Sequence, residues 1–271
     1  MKFDMGQAWT EAVALLSNNR DLVIVLAGVF LFLPSLVLGV FAPGTELEAA
    51  AGDPDQLQAA LAAFFNENWL LILVYTLISG VGTLSMLALL GRPQRPTVGE
   101  AIMIGVKALI PYIVATIIIG LIVGLLASIV GAIGAIGGAA VAVILAMVAI
   151  IFVLLIFFRL ILVGPIMAIE DTLNPIAAIR RSWSLIKGNT RYVAAFMVLL
   201  VIALLVLSLV VGMVFGVIGA LVPSGTVALW VTALFDSLVG AIGSTVFLAI
   251  YAAIHRQLTN GTPDRISETF D

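Results

Sequence analysis

The sequence predicts an all-α integral membrane protein: six transmembrane helices arranged as three hairpins, each preceded by a cytoplasmic amphipathic helix. Three observations carry this expectation. Hydrophobic residues make up 63% of the 271-residue chain and charged residues only 10%, with a mean hydropathy of +1.26. Soluble domains carry about 25% charged residues, so this chain has too little polar surface to cover a water-soluble globule and the bilayer must be its solvent. Six stretches reach the roughly 20 apolar residues that a hydrocarbon core demands, and the basic residues fall on one side of them.

The elements follow in chain order. The opening "MKFDMGQAWTEAVALLSNNRD" is too polar for a signal peptide and is expected to be retained. Within it, an amphipathic helix over about 5–17 places Trp9, Ala12, Val13 and Leu16 on one face. The first span covers about 22–41 and the second 69–91, with Glu46, Glu48, Asp53, Asp55 and Glu67 between them. A second amphipathic stretch, about 97–109, aligns Val98, Ile102, Val106 and Leu109. Spans at about 112–130 and 141–164 follow, separated only by "GAIGAIGGAA", whose glycines let the chain turn tightly.

The third amphipathic helix lies at about 174–187 in "NPIAAIRRSWSLIKGNTR", which holds four of the chain's 12 Lys and Arg residues. Asn174 caps it, Pro175 takes the first helical position and Gly188 ends it. Ile176, Ile179, Trp183 and Ile186 share one face; Arg180, Arg181, Ser184 and Lys187 share another. The last spans, about 192–221 and 227–253, are joined by the turn "VPSGT". Ala8, Leu15, Leu16, Asn19 and Val23 align with Ala178, Leu185, Ile186, Asn189 and Val193, so the unit of one surface helix and one hairpin reads as a repeat.

With the N-terminus inside, Lys2, Arg20, Arg92, Arg95, Lys107, Arg159, Arg180, Arg181, Lys187, Arg191, Arg256 and Arg265 all lie at or near the cytoplasmic side. Both termini are then cytoplasmic. A helix with a basic face and a Trp-bearing apolar face suits the headgroup layer, so Arg180, Arg181, Trp183, Lys187 and Arg191 are expected to contact anionic lipid headgroups. Docking of the same helix beneath the bundle is the alternative.

Chemistry is sparse. Without cysteine there are no disulfides, thiolate metal sites or cysteine nucleophiles. A lone histidine, His255, gives no basis for a metal site, and reads as an interfacial polar residue. No P-loop follows a strand, no cofactor is implied and no nucleic-acid partner is expected. Glu170 and Asp171 form the one adjacent carboxylate pair, expected to cap or to pair with Arg180 or Arg181, with ligand contact as the alternative. Gly120/Gly124 and Gly212/Gly216 are small-residue surfaces, expected to pack within the chain rather than between protomers. Asp236 falls near mid-bilayer in the last span, where an acid is expected to face the bundle interior and to find Arg159 or nearby hydroxyls.

Pro165, Glu170, Pro175, Ala178, Ser182, Trp183, Lys187 and Gly188 form a pattern that resembles the YciC-like inner-membrane proteins. It also resembles the related membrane domain attached to some bacterial glycerophosphodiester phosphodiesterases. Tyr251 and Arg256 resemble those proteins' closing segment, while Ala252 and His255 depart from it. The likeness covers mainly 159–193 and 245–260 and implies a helical protein of the bacterial inner membrane, with no fused phosphodiesterase domain. The expected role is non-enzymatic: membrane lipid organisation or homeostasis, or scaffolding of a membrane complex through other membrane proteins or self-association. The alternative is a transporter or permease-like subunit for an apolar or amphiphilic substrate.

Overall fold

The computed structural model describes residues 3–94, 96–221 and 225–259. Lys2, Arg95, Arg265 and the turn residues Val222, Pro223 and Ser224 lie outside them. The described residues are helical throughout, joined by short turns. Helix α1 spans Met5–Asn18, α2 Arg20–Ala27, α3 Leu33–Phe41, α4 Thr45–Ala50 and α5 Pro54–Gly91. Then come α6 Val98–Leu160, α7 Val163–Ile169, α8 Pro175–Ile186, α9 Thr190–Leu221 and α10 Thr226–Thr259. Six stretches are long and apolar enough to cross a membrane: Arg20–Phe41, Pro54–Gly91, Val98–Gly138, Ala140–Ile169, Thr190–Val217 and Thr226–Thr259.

Local chemistry explains the breaks. Between α2 and α3 a π turn over Gly28–Phe32 precedes Pro34, which has no N–H to offer the carbonyl four residues back. Gly138, at φ 81 and ψ 174, adopts a backbone conformation that is essentially restricted to glycine, and reverses α6 on itself within one residue. Just before the reversal, a Cβ on Gly134 would stand 2.9 Å from that of Ala142, so the two arms meet at their small residues.

The second amphipathic stretch differs from expectation. It is not a separate element, because α6 runs unbroken from its Thr97–Glu100 capping box through Pro111. The first and third copies break at Asn19 and at Gly188–Asn189, with Gly188 at φ 92. The middle copy has only a proline at that point, which removes one hydrogen bond without ending the helix.

The faces are also rotated from those the pattern suggested. In all three copies small residues turn into the bundle, Ala8 and Ala12, then Ala101, Gly105 and Ala108, then Ala178 and Ser182, joined by Leu15 in the first copy and Ile186 in the third. Trp9, Val13, Val106, Ile176 and Trp183 stay exposed. Small residues permit backbone approach beneath the bundle, and most of the larger ones are left on the flanks. The aligned Ala8/Ala178 and Val23/Val193 are buried in both copies. The carbonyls of Asn19 and Asn189 likewise both accept from the amide four residues on, at 2.9 and 3.0 Å.

The core sits at one end of the molecule. It comprises Gly82–Gly91 of α5, Ile161–Ala168 around α7 and the last third of α10, packed on α1 and α8. The other end splays: most side chains of the remote half of α6 and of α9 are exposed. Gly120, Gly124, Gly212 and Gly216 belong to this open region. A Cβ on any of them would meet nothing within 4 Å, which corrects the expectation that they pack within the chain. The glycines in close contact are others; a Cβ on Gly105 would stand 2.6 Å from the Val81 carbonyl.

Candidate functional site

At the packed end, the polar groups that an apolar chain can least tolerate unpaired are drawn together. The turn from α7 to α8 creates the junction. Glu170 closes α7, Asp171 takes a positive φ of 58, and Asn174 starts α8 by accepting from the amides of Ile176 (3.0 Å) and Ala177 (3.1 Å). This sharp reversal lays α8 back over Glu170, where Arg181 Nε donates to one carboxylate oxygen at 3.3 Å. The other oxygen is 2.8 Å from His255 Nε2 on α10. His255 is 3% exposed, and its Nδ1 has no hydrogen-bond partner among the described residues. With the Glu170 carboxylate as acceptor, Nε2 carries a proton and donates to it.

Burial raises the Glu170 pKa, but the His255 hydrogen bond and the charges of His255 and Arg181 together lower it by more. The carboxyl therefore ends below its ordinary value of 4.5 and is ionised at neutral pH.

Neighbouring contacts brace this centre. Arg92, just after α5, donates Nε to the Ala168 carbonyl at 2.7 Å and Nη2 to Asp171 at 3.1 Å, which satisfies the end of α7. Arg256 pairs with Glu11 of α1 at 3.0 Å. Gln257 exchanges hydrogen bonds with the Asp4 backbone and donates to Gln7 at 2.9 Å, tying α1 to α10. Ser182 donates to the Arg159 carbonyl at 2.7 Å, and the Arg159 guanidinium lies 4.5 Å over the Trp183 ring. Between these groups is a cavity of about 800 Å³, bounded by α1, α8 and the ends of α5, α7 and α10.

The residues singled out from sequence divide into three groups. Glu170 and Arg181 meet, as one of the two pairings expected for that carboxylate, and the Arg181 side chain stays partly exposed. Arg180, Trp183, Lys187 and Arg191 remain exposed, Arg191 folding over the adjacent Tyr192 ring at 4.7 Å. Arg159 and Asp236 are kept apart. Asp236 lies 19 residues before His255 on α10, about 28 Å along the axis. Arg159 is at the packed end with Trp183. Asp236 also occupies an exposed position and not an interior one. His255 moves the other way: it is buried rather than interfacial, because Glu170 supplies the acceptor that lets a ring N–H enter the core. Glu11, Arg92 and Arg256 are the members of the centre that sequence reasoning did not group. Arg92 and Arg256 stand at the packed ends of α5 and α10, and Glu11 lies midway along α1.

No three His, Asp or Glu side chains converge among the described residues. Each carboxylate at the centre is engaged by a cation, and the cavity wall alternates guanidinium and carboxylate groups with Leu15, Leu89, Leu90 and Ile169.

Comparison with curated proteins and with solved structures finds no match to either. A family model does match, over residues 4–258, which takes in the six apolar helices except for Thr259 at the end of α10. The chain therefore belongs to the family described as a domain of unknown function, DUF7847.

Proposed function

We propose that the protein is a non-enzymatic component of the bacterial cytoplasmic membrane that organises lipid at the inner leaflet, with α8 as its contact with anionic headgroups. The observation that supports this most is the division of α8. Ala178, Ser182 and Ile186 hold it to the bundle, while Ile176, Trp183, Arg180 and Lys187 stay exposed. A docked helix that keeps a tryptophan and cations outward suits a water–lipid boundary. The packed end carries Arg20, Arg92, Lys107, Arg159, Arg180, Arg181, Lys187, Arg191 and Arg256, and the opposite connection carries Glu46, Asp53 and Asp55. By the positive-inside rule the packed end is cytoplasmic. The first and third units then act as hairpins preceded by interfacial helices, α1 and α8, while in the middle unit the amphipathic stretch is continuous with its span; the resemblance to YciC-like proteins supports the same topology.

A second reading, a permease-like subunit for an amphiphile, draws on the apolar groove of about 840 Å³ between the two arms of α6.

The lipid reading is tested with Trp183 as the sole tryptophan, after Trp9, Trp69 and Trp230 are changed to Phe. The protein is reconstituted in vesicles containing brominated phosphatidylglycerol or brominated phosphatidylcholine. Trp183 fluorescence should be quenched by both, and more strongly by the anionic lipid. Each exposed cation contributes about 1 kcal/mol near such a surface. Changing Arg180, Lys187 and Arg191 together to Gln should therefore remove the anionic preference. Absence of quenching by either lipid would show that α8 is only a docked cytoplasmic helix.

A further inference from the structure

We propose that the cavity at the packed end is a binding site for a phosphate-bearing anion, presented by a lipid headgroup or by a soluble phosphoester. Arg92, Arg181 and Arg256 reach its wall from three segments far apart in the chain, and the buried His255 lines it too. In a chain with 12 Lys and Arg residues in all, three guanidinium groups around one cavity are a large commitment of charge. The facing carboxylates are two, Glu11 and Glu170, because Asp171 pairs with Arg92 without lining the cavity. The wall is thus net cationic even with His255 neutral.

The way these arginines are held matters as much as their number. A guanidinium has five N–H donors in a fixed fork. Arg181 and Arg256 each engage their carboxylate through Nε, at 3.3 and 3.0 Å, and among the described residues no acceptor engages their terminal nitrogens. Glu170 and Glu11 therefore orient the two side chains without using up their forks. An arriving phosphate can take the terminal nitrogens in the bidentate geometry that guanidinium groups favour, and neither existing ion pair has to break. Two forks, with Arg92 nearby, suit a multi-oxygen phosphate better than a carboxylate, whose two oxygens one fork satisfies. A volume of about 800 Å³ lies within the range of small-ligand sites, roughly 300–1,000 Å³. Leu15, Leu89, Leu90 and Ile169 give it an aliphatic side for the remainder of the ligand.

This site is separate from the exposed side of α8, so the two proposals stand or fall apart. The test uses the full chain in an uncharged detergent, titrated with short-chain phosphatidic acid, the matching diacylglycerol and glycerol 3-phosphate, with bound ligand counted by native mass spectrometry. Saturable one-to-one binding of phosphatidic acid but not of glycerol 3-phosphate identifies the lipid source. Binding of both, in competition, identifies the soluble source. In either case Arg181→Lys with Arg256→Lys should weaken binding at least tenfold, since the charge stays and the fork is lost. Ala14→Phe, which narrows the cavity from α1 and touches no charge, should do the same. The proposal is overturned if neither phosphate compound binds, if diacylglycerol binds equally well, or if Ala14→Phe binds with undiminished affinity while melting as the wild type does.

Discussion

Gly105→Val should leave little folded protein. Gly105 lies on the buried stripe of α6 between Ala101 and Ala108, both fully buried, where α6 crosses α5. A Cβ there would stand 2.6 Å from the Val81 carbonyl oxygen and 3.1 Å from the Ser85 amide nitrogen. Both are backbone atoms inside a helix and cannot yield unless the helices part. Overpacking a core costs about 1–3 kcal/mol when side chains can adjust, and here they cannot, so the upper end of that range is expected. A thermal melt in detergent should show a large loss for Gly105→Val. Gly99→Ala on the same helix should melt as the wild type does or slightly higher, since its Cβ meets nothing within 4 Å and alanine favours a helix over glycine by about 0.5–1 kcal/mol. Equal melting of Gly105→Val and wild type would mean that α5 and α6 do not cross at this residue.

Glu170→Ala should be the most damaging change at the polar centre. It removes the acceptor from His255, which is buried, and the partner of Arg181, which is half exposed. Leaving a buried donor unsatisfied costs about 1–3 kcal/mol, whereas a partly exposed ion pair contributes only about 0–1 kcal/mol. Most of the loss should therefore trace to His255. Adding His255→Phe to Glu170→Ala should recover part of it, because an apolar ring needs no acceptor; the double change should cost less than the two single changes summed. The pH dependence has a definite sign. The Glu170 pKa is depressed on folding, so its contribution is fully present above the ordinary glutamate value of 4.5 and is lost as pH falls through the lower folded value. Melting followed downward from neutral pH should show this loss in the wild type, and Glu170→Ala should lack that part of the dependence.

The spans were legible because hydrophobic length is a local property: five of the six predicted stretches fall within a stretch long and apolar enough to cross a membrane, and the remaining one, 192–221, overlaps Thr190–Val217. The caps were legible for the same reason, as Asn174 and Gly188 show. Which face of a helix packs was not. Counting large apolar residues points to Trp9, Trp183 and Ile176, but in a bilayer such residues have two places to go, the bundle or the lipid. Close approach at the packed end selected Ala8, Ala101, Ala178 and Ser182 instead. Gly120, Gly124, Gly212 and Gly216 misled in the converse way, since a small-residue surface says that something could approach and not that it does. Glu170 was visible as half of a carboxylate pair, with Arg181 among its named partners. Its link to His255, 85 residues later, depends on how α10 meets α7 and has no local signature.

Contact of α8 with the inner leaflet requires the packed end to face the cytoplasm, and the absence of cysteine makes a direct measurement of this possible. Single changes Asp53→Cys and Ser184→Cys, one at each end of the bundle, are expressed separately and exposed to a membrane-impermeant thiol reagent in whole cells. Asp53→Cys should label at once, and Ser184→Cys should label only after the cells are opened. Labelling of Ser184→Cys in intact cells, with Asp53→Cys protected until lysis, would invert the protein in its membrane and contradict the assignment of α8 to the inner leaflet.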